Sequence, residues 1–222
     1  MDYYKYHKIQ TVFKRDPLNK FKTLLEGEFS FPEFEYLKYN EWVYTEKVDG
    51  TNIQIKLGTE AQMFFGGRTE KAQMFPKLQA ALEAQFNPLQ SKLVEHFKET
   101  LFNKRNPSPV FFFGEGYGAG IQKGGGNYRQ EAGFCLFDVR VGDWWLNRAD
   151  VERIAGDFGL DIAPVIGYGD LWSMVHHARL GFKSQWGDFE AEGIVARPAV
   201  EMRCRDGSRI ITKIKCKDFG IA

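Results

Sequence analysis

Lys47 stands between two carboxylates, Glu46 and Asp49, in the run WVYTEKVDGTNIQIKLG, at the end of an apolar stretch and just before Gly50. A lysine amine attacks only without its proton, and its ordinary pKa of about 10.4 keeps it protonated near neutrality. Burial and neighbouring cations free it, whereas adjacent carboxylates oppose that. Residues two apart on a strand share a face. Lys47 and Asp49 are therefore expected on one side, with Glu46 and Val48 pointing elsewhere. Taken alone, K-x-D-G reads as a surface salt bridge. Gly50, Thr51 and Asn52 add a tight turn with polar groups, as around a ligand.

Other chemistry-bearing residues are scattered along the chain. FFFGEGYGAGIQKGGGNY carries Glu115 at the end of an expected strand, among glycines that would let backbone amides approach a ligand. It is no P-loop, because no G-K-[ST] follows at the required spacing. It is no dinucleotide fingerprint, because no periodic helix opens on it. By itself it reads as a flexible connection. Glu192 precedes a glycine and a strand in AEGIVARP, and Arg68 follows two glycines in FFGGRTEK. Lys215 and Lys217 lie two apart in ITKIKCKDF, hence on one strand face, with Ile214 and Cys216 on the other. Each of these, singly, is also what a solvated strand face looks like. The four histidines are scattered, and His176 and His177 sit side by side on an expected helix, where neighbours do not share a face.

The elements that must position these residues are mostly strands. WVYTEKV and TNIQIKL flank Asp49-Gly50, PVFFFGEG is a short apolar run, and GFCLFDVRVGDWWL reads as two strands joined at Gly142-Asp143. EGIVARPAVEMRCR and SRIITKIKCK flank Asp206-Gly207, a dipeptide suited to a tight hairpin. Helical spacing appears in PKLQAALEAQF and in PLQSKLVEHFKETLF, where Leu89, Leu93, Phe97 and Leu101 share a face. Pro76 and Pro88 fit first-turn positions. ADVERIAGDFG and DLWSMVHHARLG read as two further helices, each followed by a glycine where a C-terminal cap stands. The order predicts an α+β fold of mostly antiparallel sheets flanked by helices, in a single domain spanning residues 1–222.

Composition narrows the class. The chain has 222 residues and a formal charge of +1, so any nucleic-acid contact must come from a local basic face. Three cysteines without a C-x-x-C pair argue for a reducing, cytoplasmic setting (or a host cytoplasm, if virus-encoded) and against a disulfide framework or structural zinc. MDYYKYHKIQ is no signal peptide, and no apolar run approaches membrane-spanning length.

Taken in order, the motifs resemble the covalent nucleotidyltransferases: the ATP-dependent DNA and RNA ligases and the mRNA capping enzymes. They are lysine in K-x-D-G, arginine after a glycine turn, F-G-E, a hydrophobic strand ending in aspartate, E-G-[IV] and a closing K-x-K. EKVDGTN, FGEGYGAGIQKGG followed by FCLFDVR, IKCKDF and the opening YYKYHKI are most similar to RNA ligases of the phage T4 RNA ligase 2 type. The likeness runs from about residue 3 to 219. It implies the ligases' ATP-grasp-like adenylation fold. It also implies a lysyl-AMP intermediate on Lys47, with Lys215 and Lys217 stabilising the phosphoryl-transfer transition state and Asp49 and Arg68 assisting. Asp49, Glu115 and Glu192 would hold Mg²⁺ or Mn²⁺, directly or through water. Phe137 would stack on adenine, Glu46 would accept from its amino group, and Val48 would belong to the same nucleotide-binding set. Arg68, Asn52 and Glu115 would contact ribose and the polynucleotide end.

The implied reaction joins 5′-phosphate and 3′-hydroxyl ends of RNA, or of an RNA-containing duplex, at nicks. Lys123, Arg129, Arg203, Arg205 and Arg209 are candidate backbone contacts. One departure stands out. K-x-K lies about five residues from the C-terminus, without room for the helical domain or OB-fold that follows in relatives. This is the expectation of a minimal ligase, or of a truncated chain whose missing domain a protein partner supplies. Three alternatives stay open: an ATP-dependent DNA ligase, a capping guanylyltransferase, and a non-catalytic RNA-end-binding module on the same fold.

Overall fold

Alternation of apolar and polar residues decides which face of each strand is buried, and it does so in two separate sheets. The computed structural model describes residues 4–221; the first two residues and Tyr3 of the expected N-terminal motif lie outside that range, as does Ala222. The chain forms two compact units, one of residues 4–6 and 49–162, the other of residues 7–48 and 163–221.

In the first unit the strands run Asp161–Ile162, Gly133–Val141, Val110–Tyr117, Thr51–Leu57, Met63–Gly67 across the sheet, with Trp144–Trp145 folding back on Gly133–Val141. All pairings are antiparallel except that of Asp161–Ile162. Ile53, Ile55 and Leu57, with Phe112, Phe134 and Leu136, bury one face. Leu78, Leu82 and Phe86 of the helix Pro76–Phe86 and Val151 and Ile154 of the helix Arg148–Phe158 cover it. The second periodic stretch is not one helix. It breaks into Asn87–Leu89, Gln90–His96 and Lys98–Leu101, because Phe97 leaves helical geometry (φ −104°, ψ 13°). Its apolar positions are nonetheless buried, since Leu93, Phe97 and Leu101 all reach the core.

In the second unit the order is Gln10–Thr11, Thr212–Lys215, Gly193–Pro198, Trp42–Glu46, Val165–Gly169, beside a two-stranded ribbon of Phe13–Arg15 and Leu24–Phe29. Trp42, Tyr44, Ile194, Ala196 and Ile214 form the core with Leu171, Met174 and Val175 of the helix Leu171–Leu180. Asn147 and Asp170 cap the two predicted helices, accepting from Asp150 N and Ser173 N, and Gly159 and Gly181 follow them as expected. The hairpin at Asp206-Gly207 is looser than expected. Its strands stop at Pro198 and start again at Thr212, and the excursion is tied by a bridge between Arg203 and Arg209, with Cys204 N bonding Ser208 O and Ile210 N bonding Met202 O.

Cys135, Cys204 and Cys216 are free thiols. Among the described residues no helix is long and apolar enough to cross a membrane.

Candidate active site

In the second unit, strand register alone assembles a lysine–glutamate–lysine group. Gly193–Pro198 lies between Trp42–Glu46 and Thr212–Lys215, with Ile194 opposite Glu46 and Gly193 opposite Lys215. Lys47, the next residue after Glu46, donates its backbone N–H to Gly193 O (2.9 Å). Glu192, one residue before the strand, is thereby delivered to both lysines. Its Oε2 accepts from Lys47 Nζ and its Oε1 lies against Lys215 Nζ, each at 2.5 Å. Gly193 is required here. A Cβ at this position would stand 2.2 Å from Ile214 O and block the approach of the two strands. Burial alone would raise the pKa of Glu192, but Lys47 and Lys215 outweigh it and hold the carboxyl below the ordinary range.

Glu46 points into the same unit and is 1% exposed. Its Oε1 accepts from Ser184 Oγ (2.5 Å) and its Oε2 from Gln185 N (2.8 Å). Burial pushes its pKa up, and these two bonds pull part of the way back. Ser184 is a residue that no sequence signal marked, as it stands 138 positions from Glu46. Glu46→Ala would leave one buried donor, the Ser184 hydroxyl, without its acceptor and free the partly buried Gln185 N–H, a cost of about 1–3 kcal/mol. The melting temperature is expected to fall by about 2–4 °C per kcal/mol for a chain of this size. A calorimetric melt identical to wild type would refute this.

Two strand-face expectations need correction. Trp42–Glu46 ends before Lys47, so no strand alternation links Lys47 to Asp49. Thr212–Lys215 likewise ends at Lys215, and Cys216–Phe219 is a 3₁₀ turn that carries Lys217 at the surface. Lys215 and Lys217 thus belong to different elements, and Lys215 alone joins Glu192 and Lys47. Val48 is buried, and its carbonyl lies 3.4 Å from Lys47 Nζ.

The first unit holds the remaining expected residues. Asp49 donates its backbone N–H to Tyr128 Oη (3.2 Å), and its carboxylate lies beside Gly124 of the glycine-rich loop. Gly50 packs directly on the strand Val110–Tyr117. A Cβ there would meet Gly116 O at 2.3 Å and Glu115 Cγ at 2.7 Å. Asn52 stands opposite Glu115 in register, and both are half-buried. Asn52 Oδ1 and Gln54 Oε1, on one face of their strand, are buried acceptors without a hydrogen-bond partner among the described residues. The glycine-rich loop is a folded feature rather than a loose connection. Ala119 N bonds Arg129 O, Ile121 N bonds Gly118 O, and Gly125–Tyr128 forms a helical turn.

Phe137 occupies a β-bulge. Phe113 pairs with Asp138 and Gly114 with Leu136, leaving Phe137 as the extra residue, half-buried and edge-on to Tyr6. Bulges re-aim side chains in this way. The neighbouring Asp138 is fully buried and accepts from Tyr6 Oη (2.6 Å), a partnership that the sequence did not announce. Arg68 is exposed in the turn after Met63–Gly67. Of the expected backbone contacts, Lys123, Arg203 and Arg205 are exposed and Arg129 pairs with Asp161. Arg209 is buried against Glu201 (2.7 Å), which makes it a structural ion pair rather than a phosphate contact.

Among the described residues no three His, Cys, Asp or Glu side chains gather as a metal-ligand group. Glu192 already has both oxygens engaged by lysines. The oxygen donors of Asp49, Asn52 and Glu115 are the chemistry that suits a hard divalent cation completed by waters and phosphate oxygens.

A lysine just beyond its strand, its acid partner and a second, strand-borne lysine thus meet on one antiparallel sheet. The chain matches the RNA ligase family over residues 40–215 and belongs to it. Among solved structures it is similar to Naegleria gruberi RNA ligase. A variant of that protein with ATP and Mn gives a TM-score of 0.61 at 18% identity, covering 96% of this chain and 57% of that one. A variant with AMP and Mn gives 0.60 at 17%, covering 93% and 56%, and the form with PPi gives 0.60 at 18% over the same shares. At such identities the likeness is one of fold, and the chain spans little more than half the length of these structures. No curated protein matches the chain by sequence.

Proposed function

We propose that this chain is an ATP-dependent RNA ligase that joins 5′-phosphate and 3′-hydroxyl ends, at nicks in RNA-containing duplex, through a lysyl-AMP on Lys47. The observation that carries the reading is the Lys47–Glu192–Lys215 group. Lys47 Nζ, once deprotonated, attacks the α-phosphorus of ATP. The P–N bond forms as the bond to pyrophosphate breaks, and pyrophosphate leaves with the electron pair. Glu192, hydrogen-bonded to Nζ, is within reach of the departing proton. Lys215, and Lys217 on the turn that follows it, supply positive charge to the transition state. AMP then passes to a 5′-phosphate, and a 3′-hydroxyl displaces it.

Glu46 and Phe137 are the proposed adenine contacts, with Val48 in the same set. Arg68, Asn52 and Glu115 are proposed for ribose and polynucleotide. Asp49, Asn52 and Glu115 would hold Mg²⁺ or Mn²⁺, with Glu192 acting mainly on the lysines. The orphaned acceptor of Asn52 supports that fit. The bound ion supplies neutralisation of phosphate oxygens. The three free thiols accord with a cytoplasmic setting. In this reading the chain acts as one adenylation domain.

The test is the intact mass of the protein after incubation with ATP and Mg²⁺. A gain of one AMP, no gain with GTP, and reversal by pyrophosphate are expected. Protein that neither gains AMP nor loses it to pyrophosphate would end the ligase reading in favour of a non-catalytic RNA-binding module.

A further inference from the structure

A groove of about 830 Å³ in the second unit shares only Lys215 with the chemistry above. It runs between the ribbon Phe13–Arg15/Leu24–Phe29 and the sheet edge made by Gln10–Thr11 and Thr212–Lys215. Lys8, Lys14, Arg15, Lys213 and Lys215 line it, against a single lining carboxylate, Glu28. Lys213 and Lys215 are neighbours on one face of their strand, alternating with the buried Thr212 and Ile214. Lys14 pairs with Glu28, Arg15 with Asp218 and Lys215 with Glu192, yet cations still outnumber carboxylates in the lining, as a local basic face for a polyanion requires.

The groove is also aromatic. Phe21 and Phe31 belong to its lining and are 62% and 44% exposed. Phe21 sits at the tip of the ribbon, where Lys20 (φ 50°) and Phe21 (φ 61°) both adopt the left-handed region. Neither is glycine, so the turn carries backbone strain. That conformation is held by Phe21 N bonding Asp16 O (2.8 Å) and Asp16 N bonding Thr23 O (3.0 Å). A strained turn that holds a large ring in solvent, beside a row of lysines, matches how single-stranded nucleic acid is gripped. Cations take the phosphates, and aromatic faces take the bases without regard to sequence. An acidic peptide would satisfy the lysines and leave the rings unused. Lys215, whose partner Glu192 also holds Lys47, is part of the lining.

We propose that this groove binds a single-stranded stretch of RNA that flanks the nicked duplex, phosphates on Lys8, Lys14 and Lys213 and a base on Phe21, and leads the strand toward Lys47. The inference rests on the ligase reading for the identity of the nucleic acid and the direction of the strand.

The experiment titrates a fluorescent single-stranded RNA of about 12 nucleotides, within the usual site size, by anisotropy at several salt concentrations. The proteins are wild type, the double variant Lys8→Glu/Lys213→Glu, and Phe21→Ala. The double variant is expected to bind more than tenfold more weakly. Its salt slope is expected to fall by about 0.7 for each phosphate that is no longer neutralised. Phe21→Ala is expected to weaken binding about tenfold, as one base ceases to stack, with the salt slope unchanged. Both variants are expected to keep AMP uptake by intact mass, which reports their fold and the first step. Wild-type affinity and slope in the variants would overturn the proposal while leaving the ligase reading intact. So would equal displacement of the RNA by a polyglutamate peptide, or no RNA binding by the wild type. Absence both of AMP uptake and of AMP loss to pyrophosphate in all three proteins, with RNA binding weakened as expected, would remove the ligase reading and leave the groove standing. Should the double variant fail to fold, Phe21→Ala decides, since an exposed ring contributes little to the core.

Discussion

Lys47→Arg is expected to fold as the wild type does and to take up no AMP. The arginine keeps a positive charge against Glu192, whose carboxylate stays paired on both oxygens as now. A guanidinium does not give up its proton near neutrality, so no nucleophile forms. Lys47→Ala removes both roles. Glu192 would keep only Lys215 in a half-buried setting, and the melting temperature is expected to fall by a few degrees as well. Adduct formation should drop by at least about 10⁴-fold in either variant, the scale seen when a covalent nucleophile is removed. Intact mass and peptide mapping read the adduct, and calorimetry reads the fold. An AMP adduct on the arginine variant, or one mapped to another residue in the wild type, would discard Lys47 as nucleophile.

Glu192→Ala carries the second large effect, and it acts on stability and chemistry together. Two ammonium groups would each lose a 2.5 Å partner and be left facing one another. Removing one member of a partly buried ion group costs about 1–3 kcal/mol, less than for full burial because water still reaches these side chains. The pH dependence follows from the depressed pKa of Glu192. A carboxyl with a folded-state pKa below its unfolded value stabilises the fold above the unfolded value, about 4.3. That contribution is lost as the pH falls through the folded-state pKa. The gap in melting temperature between wild type and Glu192→Ala should be full near neutrality and narrow under acid. Glu46, shifted upward by burial, acts in the opposite sense but is present in both proteins and cancels. AMP uptake is expected to slow by about 10²-fold as Lys47 loses its orientation. Lys215→Ala is expected to slow it by about 10²–10³-fold through loss of transition-state charge. A gap that stays constant from pH 7 to strong acid would contradict the charge pairing.

Much of the local structure was legible in the sequence because it depends on short-range chemistry. The helix Pro76–Phe86 follows from a proline at its start and apolar residues on one face. Gly159 and Gly181 mark the ends of two helices, where a C-terminal cap stands. The strand read in TNIQIKL is the strand Thr51–Leu57, whose Ile53, Ile55 and Leu57 enter the core. The site residues were legible only as ordered motifs, and their spacing arguments failed where an element ended. Lys47 lies one residue beyond its strand, and Lys217 lies on a 3₁₀ turn. A two-residue period has no meaning once the chain leaves the extended conformation.

What the sequence determined by itself was the set of candidate groups and the elements that carry them. Tertiary structure decided which of them meet. Glu192 reaches Lys47, 145 positions away, only because Gly193–Pro198 pairs on both sides in one register. A slip of one residue would turn every side chain to the other face. The bulge at Phe137, the bond from Ser184 to Glu46 and the burial of Arg209 on Glu201 are likewise outcomes of packing. Local propensity acts over a few residues. Register and burial are set by the whole sheet and its core, where one buried face outweighs the preference of any single segment.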